Sequence, residues 1–308
     1  MHWNGGRWEI VPTPKPAGSG TQAQLRGVTA VSSNDVWAFG FSANPSVPNG
    51  GYATLAEHWD GTSWTIVPTP NPPVVGPYGV SLNAVAAISA NDIWAVGGSA
   101  CCGSYGGAAL LQHWDGWRWS IVAAPATTIN WSASTRSGLA AVASNDVWAV
   151  GQYDSFHWDG TAWSVVFGAQ NTSSAAAAGA TNVWAVGSYS GGCYYCYSVV
   201  PVAYRWDGAS WVNTQPQIPT YQDTFRGVSA RAASDVWAVG TTSGTMTLTE
   251  HWDGTTWRVE PSPNASTAPY AYNTLNAVVA IASNDVWAVG DYTDGVGNQF
   301  TLTMHYAG

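Results

Sequence analysis

The chain has one lysine, Lys15, and only 9% of its 308 residues carry a formal charge, against about a quarter in ordinary soluble proteins. Tracking a phosphate backbone takes clustered cations, so nucleic acid is not expected as a partner. Attraction to an anionic membrane surface fails for the same reason. No apolar run reaches the roughly 18 residues that a spanning helix needs, so membrane insertion is not expected either. No stretch sustains a helical 3.6-residue period; the alanine run at 175–178 falls where other repeats place a strand. Catalytic signatures are missing too. There is no GxSxG, HExxH, phosphate loop or dinucleotide fingerprint. The sequence predicts no cofactor, no metal and no identifiable catalytic residue.

What the chain has in abundance is tryptophan, 20 residues, and glycine, 34, on a net charge of −9. So many aromatics at so low a charge argue for a packed core and against disorder. They fall into repeats. One phrase occurs six times: NDVWAFG (34–40), NDIWAVG (91–97), NDVWAVG (145–151), TNVWAVG (181–187), SDVWAVG (234–240) and NDVWAVG (284–290). Its copies stand about 50 residues apart, a period of repeat architectures. A second phrase alternates with it: HWNGGRW (2–8), HWDGTSW (58–64), HWDGWRW (113–119), HWDGTAW (157–163), RWDGASW (205–211) and HWDGTTW (251–257).

Each unit reads as four short strands, A to D. In the second, LNAVAAIS (82–89) is strand A, IWAVGGS strand B, LLQHW (110–114) strand C and RWSIV (118–122) strand D. An Asx-Gly turn between β-branched and aromatic runs is the strongest short hairpin signal. Four antiparallel strands at this period predict an all-β, six-bladed β-propeller in one domain. Blades are expected at about 25–68, 82–123, 136–167, 172–213, 225–261 and 275–306. The chain ends at TLTMHYAG (301–308) without a strand D, so residues 7–11 are expected to form the outer strand of the last blade. Such closure removes an unpaired sheet edge.

The HWDGTSW and NDVWAVG phrases resemble those of secreted bacterial propeller-repeat proteins, over nearly the whole chain. The resemblance implies the propeller fold and an exported, extracellular setting. Likeness to WD40 repeats is more distant: Trp-Asp ends strand C, but the Gly-His pair is missing. In the turn, Asp60 precedes Trp64 by four residues, which departs from the Asp box of sialidase-type propellers.

Most chemistry-bearing residues belong to the phrases. His2, His58, His113, His157, His251 and His305 each precede the aromatic of the second phrase, with Arg205 in that place once. Spread one per blade, they cannot converge on one ion, and a hydrogen bond within each blade is expected. The tryptophans are expected to pack blade on blade. The phrase aspartates, Asp35 and Asp60 among them, read as turn-formers.

The A–B and C–D connections are short and uniform. The B–C and D–A connections share the other end of each blade and vary, so specific binding is expected there. All four cysteines lie in them. Bridges Cys193–Cys196 and Cys101–Cys102 are the simplest reading, a cross-loop pairing the next, and disulfides fit an exported protein. No leader is visible before the first phrase, which reads as a mature or trimmed chain. Asn130, Asn171 and Asn264 are possible glycosylation sites, and Trp131 a possible aromatic contact.

One further position stands out. Eleven residues before each strand-B tryptophan come Arg26, Asn83, Ser137, Ser173, Arg226 and Asn276. This position is expected to open strand A at the channel mouth, making Arg26, Arg226, Asn276 and Asn83 a candidate ligand-binding crescent; guanidinium forks suit carboxylates. Pairing with loop aspartates such as Asp223 or Asp291 is the competing reading. The leading function is a non-catalytic exported binding or scaffold module for protein or glycan. Alternatives are a lectin at the channel mouth, a sialidase-like glycoside hydrolase or lyase, and a self-assembling subunit of a filament or surface layer.

Overall fold

The structure is a computed structural model that describes residues 2–3, 6–16, 22–44, 51–72, 79–99, 107–125, 137–191, 198–217 and 222–308. The chain is an all-β, six-bladed β-propeller, with no helix among the described residues. It divides into two compact units, the first carrying blades 1 and 2 and the second blades 3 to 6. Among the described residues five sheets have four antiparallel strands in the order A-B-C-D, the last has three, and a short sheet at the N-terminus has two.

Blade 2 shows how the sequence makes a blade. Strand A is Val80–Ser89, B is Asp92–Ser99, C is Ala109–Trp114 and D is Trp119–Val122. Between C and D the chain reverses at Gly116, whose φ of +94° is open to glycine and strained for other residues. The Asp115 carboxylate holds this turn by accepting the backbone N–H groups of Trp117 and Arg118, each at 2.9 Å. That pairing sets Trp119 directly opposite Trp114.

Tryptophan then joins blade to blade, as the sequence predicts. In the first unit the Trp37 ring lies 4.9 Å from Trp114 and 5.6 Å from Trp119 of the next blade. In the second unit Trp148 meets Trp206 and Trp211, Trp184 meets Trp252 and Trp257, and Trp237 meets Tyr306. Such ring pairs contribute about 0.5–1.5 kcal/mol each beyond the area they bury. Around them, small and β-branched residues of strands A and B fill the space between the sheets, with Ile93, Val183 and Val236 wholly buried.

In the first unit Trp8–Glu9 pairs antiparallel with His2–Trp3, since HWNGGRW carries the same turn signal as every later C–D hairpin. In the second unit the last sheet consists of Asn273–Ala282, Asp285–Thr293 and Gln299–Tyr306.

Candidate functional site

The expected site position lies inside strand A, and it is an insertion. In blade 1, Leu25 pairs with Gly40 and Gly27 with Phe39, leaving Arg26 as the extra residue. The register skips Asn83, Ser173, Arg226 and Asn276 in the same way. These residues therefore do not open the strand, as the spacing suggests, but form β-bulges within it, and a bulge re-aims its side chain. The glycine ending WAVG makes this possible. A Cβ on Gly40, Gly97, Gly187, Gly240 or Gly290 would collide with the carbonyl oxygen two residues before the bulge. The strands approach there too closely for any side chain.

Within each unit, neighbouring bulge residues are joined. In the first, Arg26 Nη1 donates to Asn83 Oδ1 at 2.7 Å, and the guanidinium lies over the Phe41 ring, 4.7 Å from its centroid. Burial lowers the Arg26 pKa from its ordinary value. In the second, Arg226 Nη1 donates to Asn276 Oδ1 at 3.4 Å, Asn276 Nδ2 donates to Asp291 Oδ1 at 2.8 Å, and Gln299 Nε2 donates to Asp291 Oδ2 at 2.9 Å. Asp291 is thus tied to amides and reaches Arg226 only through Asn276. Asp223 is wholly buried and accepts from Thr242 Oγ1 and the Ser243 N–H. Asp291 forms no ion pair with an arginine among the described residues.

Beside Arg26 lies a cavity of about 410 Å³ walled by Leu25, Val28, Val36, Ala38, Trp59 and Trp64. Their counterparts in blade 2, Leu82, Val85, Ile93, Ala95, Trp114 and Trp119, pack against Trp37 and Phe39 of blade 1. By repeat position the cavity is a blade-packing surface and not a built polar pocket.

The histidines do make hydrogen bonds within blades. Nε2 of His58, His113, His157, His251 and His305 meets Oδ1 of Asp35, Asp92, Asp146, Asp235 and Asp285 at 2.9–3.1 Å. The same oxygen accepts the indole N–H of Trp37, Trp148 and Trp287. This corrects the reading of the first-phrase aspartates, which serve histidine and tryptophan instead of forming turns. Their histidine partners come from strand C, so the short-range turn argument missed them. The second-phrase aspartates do form turns. Asp60 accepts from Thr62 Oγ1 and from the N–H groups of Thr62 and Ser63, bonds that hold its carboxyl down at about 2. In blade 4 both members of the histidine pair change together, to Asn182 and Arg205.

Buried acids elsewhere also serve the scaffold. Glu250, wholly buried, accepts the Gln217 N–H at 3.0 Å, and burial, with a contribution from the Asp223 charge, pushes it up to about 8. At the same position Gln112 of blade 2 donates to the Pro70 carbonyl, where a proline supplies no N–H. Asp154 is 2% exposed, and neither of its oxygens has a partner among the described residues. It stands three residues before the phrase histidine, the place of Leu55, Leu110, Leu248 and Leu302 in other blades.

Cys101, Cys102, Cys193, Cys196, Asn130 and Trp131 lie outside the described residues. Asn171 has a left-handed φ of 58°. Asn264 has a structural place, its Oδ1 accepting the Thr247 N–H at 2.9 Å, as Asn71 does for Thr54 in blade 1.

No protein-family model matches the sequence, and no curated protein matches it. Solved structures do resemble the fold. YCF48 from Cyanidioschyzon merolae is 13% identical with a TM-score of 0.51, over 92% of this chain and 94% of that one. A GH74 xyloglucanase from Xanthomonas campestris is 13% identical with a TM-score of 0.54, over 84% of this chain, which spans 43% of that enzyme. A six-bladed fungal lectin from Aleuria aurantia, which recognises fucose, is 17% identical with a TM-score of 0.49 over 78% of this chain and 80% of the lectin. At these identities the likeness is one of architecture alone.

Proposed function

We propose that the protein is a non-catalytic, exported binding module that takes a protein or glycan partner on the blade ends bearing the B–C and D–A connections. The observation that carries this reading is the bulge row. One strand-A position, re-aimed by an inserted residue, holds Arg26, Asn83, Ser173, Arg226 and Asn276 in blades 1, 2, 4, 5 and 6. The other recurrent polar side chains are spent inside the blades: the histidines on aspartates, the second-phrase aspartates on turns. Variation in an otherwise repetitive scaffold marks the place where recognition differs. The bulge residues sit on rigid strands, which suits preorganised recognition.

The test is to screen the full chain against glycan and peptide arrays and repeat it with two variants. Arg226→Gln alters the bulge row, and Trp117→Ser alters the opposite, C–D end, where Trp117 is 90% exposed. Binding that falls with the first and persists with the second supports the reading. Binding lost only with Trp117→Ser, or silence on both arrays, overturns it.

A further inference from the structure

We infer that Arg226 and Asn276 form a carboxylate-binding site for an acidic sugar, an inference that rests on the binding-module reading and names the ligand class of that same row. Arg226 makes no ion pair among the described residues. Arg7, Arg231 and Arg258 form ion pairs with Glu9, Asp235 and Asp253. Arg226 is half-buried, and among the described residues its one side-chain hydrogen bond is the 3.4 Å contact to Asn276. A partly desolvated guanidinium without a carboxylate is a standing demand for one, because its remaining N–H groups form a planar fork that a carboxylate fits.

The surroundings position that fork and leave it unsatisfied. Asp291, the acid of this network, has one oxygen on Asn276 Nδ2 and the other on Gln299 Nε2. It orients the Asn276 amide so that the carbonyl faces Arg226 and the NH2 faces away. The backbone beneath is held as well: Gly240 lies against the Thr224 carbonyl, two residues before Arg226, with no room for a Cβ. A donor held this way pays little ordering entropy when a ligand arrives.

Charge and neighbouring chemistry favour a sugar over an acidic peptide. The chain carries net charge −9, so a segment with several acidic residues meets long-range repulsion. An acidic sugar residue brings one carboxylate ringed by hydroxyls. The groups of this network suit hydroxyls: the Asn276 amide, which meets Arg226, and the exposed Gln299 amide, joined to it through Asp291.

The experiment is calorimetric titration of the full chain with glucuronate and N-acetylneuraminate, using glucose as the neutral counterpart of glucuronate and an Asp-Glu peptide as the competing class. At least one acidic sugar is expected to bind, with glucose at least tenfold weaker. Arg226→Gln should weaken acid-sugar binding tenfold or more, the loss expected for a charge-assisted contact. Arg226→Lys should recover only part of it, since an ammonium cannot reproduce the fork. The melting temperature of each variant is measured alongside, to separate loss of the site from loss of the fold. Equal binding of glucose and glucuronate, binding of the peptide alone, or acid-sugar affinity unchanged by Arg226→Gln would each overturn the site. Array ligands that bind without Arg226 would leave the binding module standing and remove this inference; no ligand of either class would remove both.

Discussion

The carbonyl oxygen of Thr224 occupies the space that a Cβ on Gly240 would need. That one contact links the WAVG phrase to the bulge at Arg226, because the two strands can approach this closely only over a glycine. The same relation recurs between Thr274 and Gly290, beneath Asn276.

Gly240→Ala is therefore expected to push strand A away and spoil the bulge. Overpacking against backbone should cost about 3 kcal/mol, and the melting temperature should fall by roughly 5–10 °C. Thermal denaturation of the variant checks this. An unchanged transition would mean that the strands separate freely at this point.

Asp146→Ala should destabilise blade 3 more than Asp146→Asn. The carboxylate accepts from His157 at 3.0 Å and from the Trp148 indole at 2.8 Å, so alanine leaves two donors without their acceptor. The expected loss is about 2–3 kcal/mol, while asparagine keeps an oxygen in place. Denaturant titration of both variants measures the difference; equal losses would point to packing instead of hydrogen bonding.

Stability should fall as pH rises through the neutral range, and Glu250 is one cause. Its ordinary pKa of 4.5 is pushed up to about 8, chiefly by burial. Folding then retains a proton that the unfolded chain releases, so the stabilisation present below pH 4.5 is lost as pH rises towards 8. The window corresponds to on the order of 3–5 kcal/mol. Glu250→Gln should flatten it, since the amide oxygen can still accept from Gln217, and should raise stability at pH 8. Below pH 4 the sign reverses. Asp60 and Asp159 are held at about 2 by turn hydrogen bonds, so their contribution is lost as pH falls from 3.8 towards 2. Melting curves across pH, with and without the substitution, test both limbs.

Asp154 occupies the place of Leu55, Leu110 and Leu302 in other blades. Asp154→Leu should match or exceed the parent in stability, because the acid is buried with no partner for either oxygen among the described residues. A variant markedly less stable than the parent would show that the acid has a role that leucine cannot fill.

The blades were legible because their signals are local. HWDGTSW encodes its own turn: Asp60 caps backbone groups two and three residues on, and Gly61 supplies the left-handed φ. The bulge position was legible only as a spacing. Its eleven-residue distance from tryptophan marked Arg226 and Asn276, but the inserted residue appears only once Phe225 is seen opposite Gly240 and Gly227 opposite Val239. Asp291 and Gln299, which complete the network, lie at the far end of a B–C hairpin whose register no turn motif announces. Asp154 was visible in principle, as the one acid in a column of aliphatic residues.

By itself, then, the sequence determined the strand pattern, the turns, the glycines and the repeat number, because each follows from backbone preferences and side chains within a few residues. Tertiary structure decided which acid serves which donor. Asp35 meets His58 across the B–C register, 23 residues away, while Asp60 of the next phrase meets only its own turn. Tertiary structure also paired the first strand, residues 8–9, with its neighbour at 2–3 and placed Arg226 on Asn276 of the following blade. Such choices depend on strand register and blade packing, which sum over many weak contacts and leave no mark at any single residue.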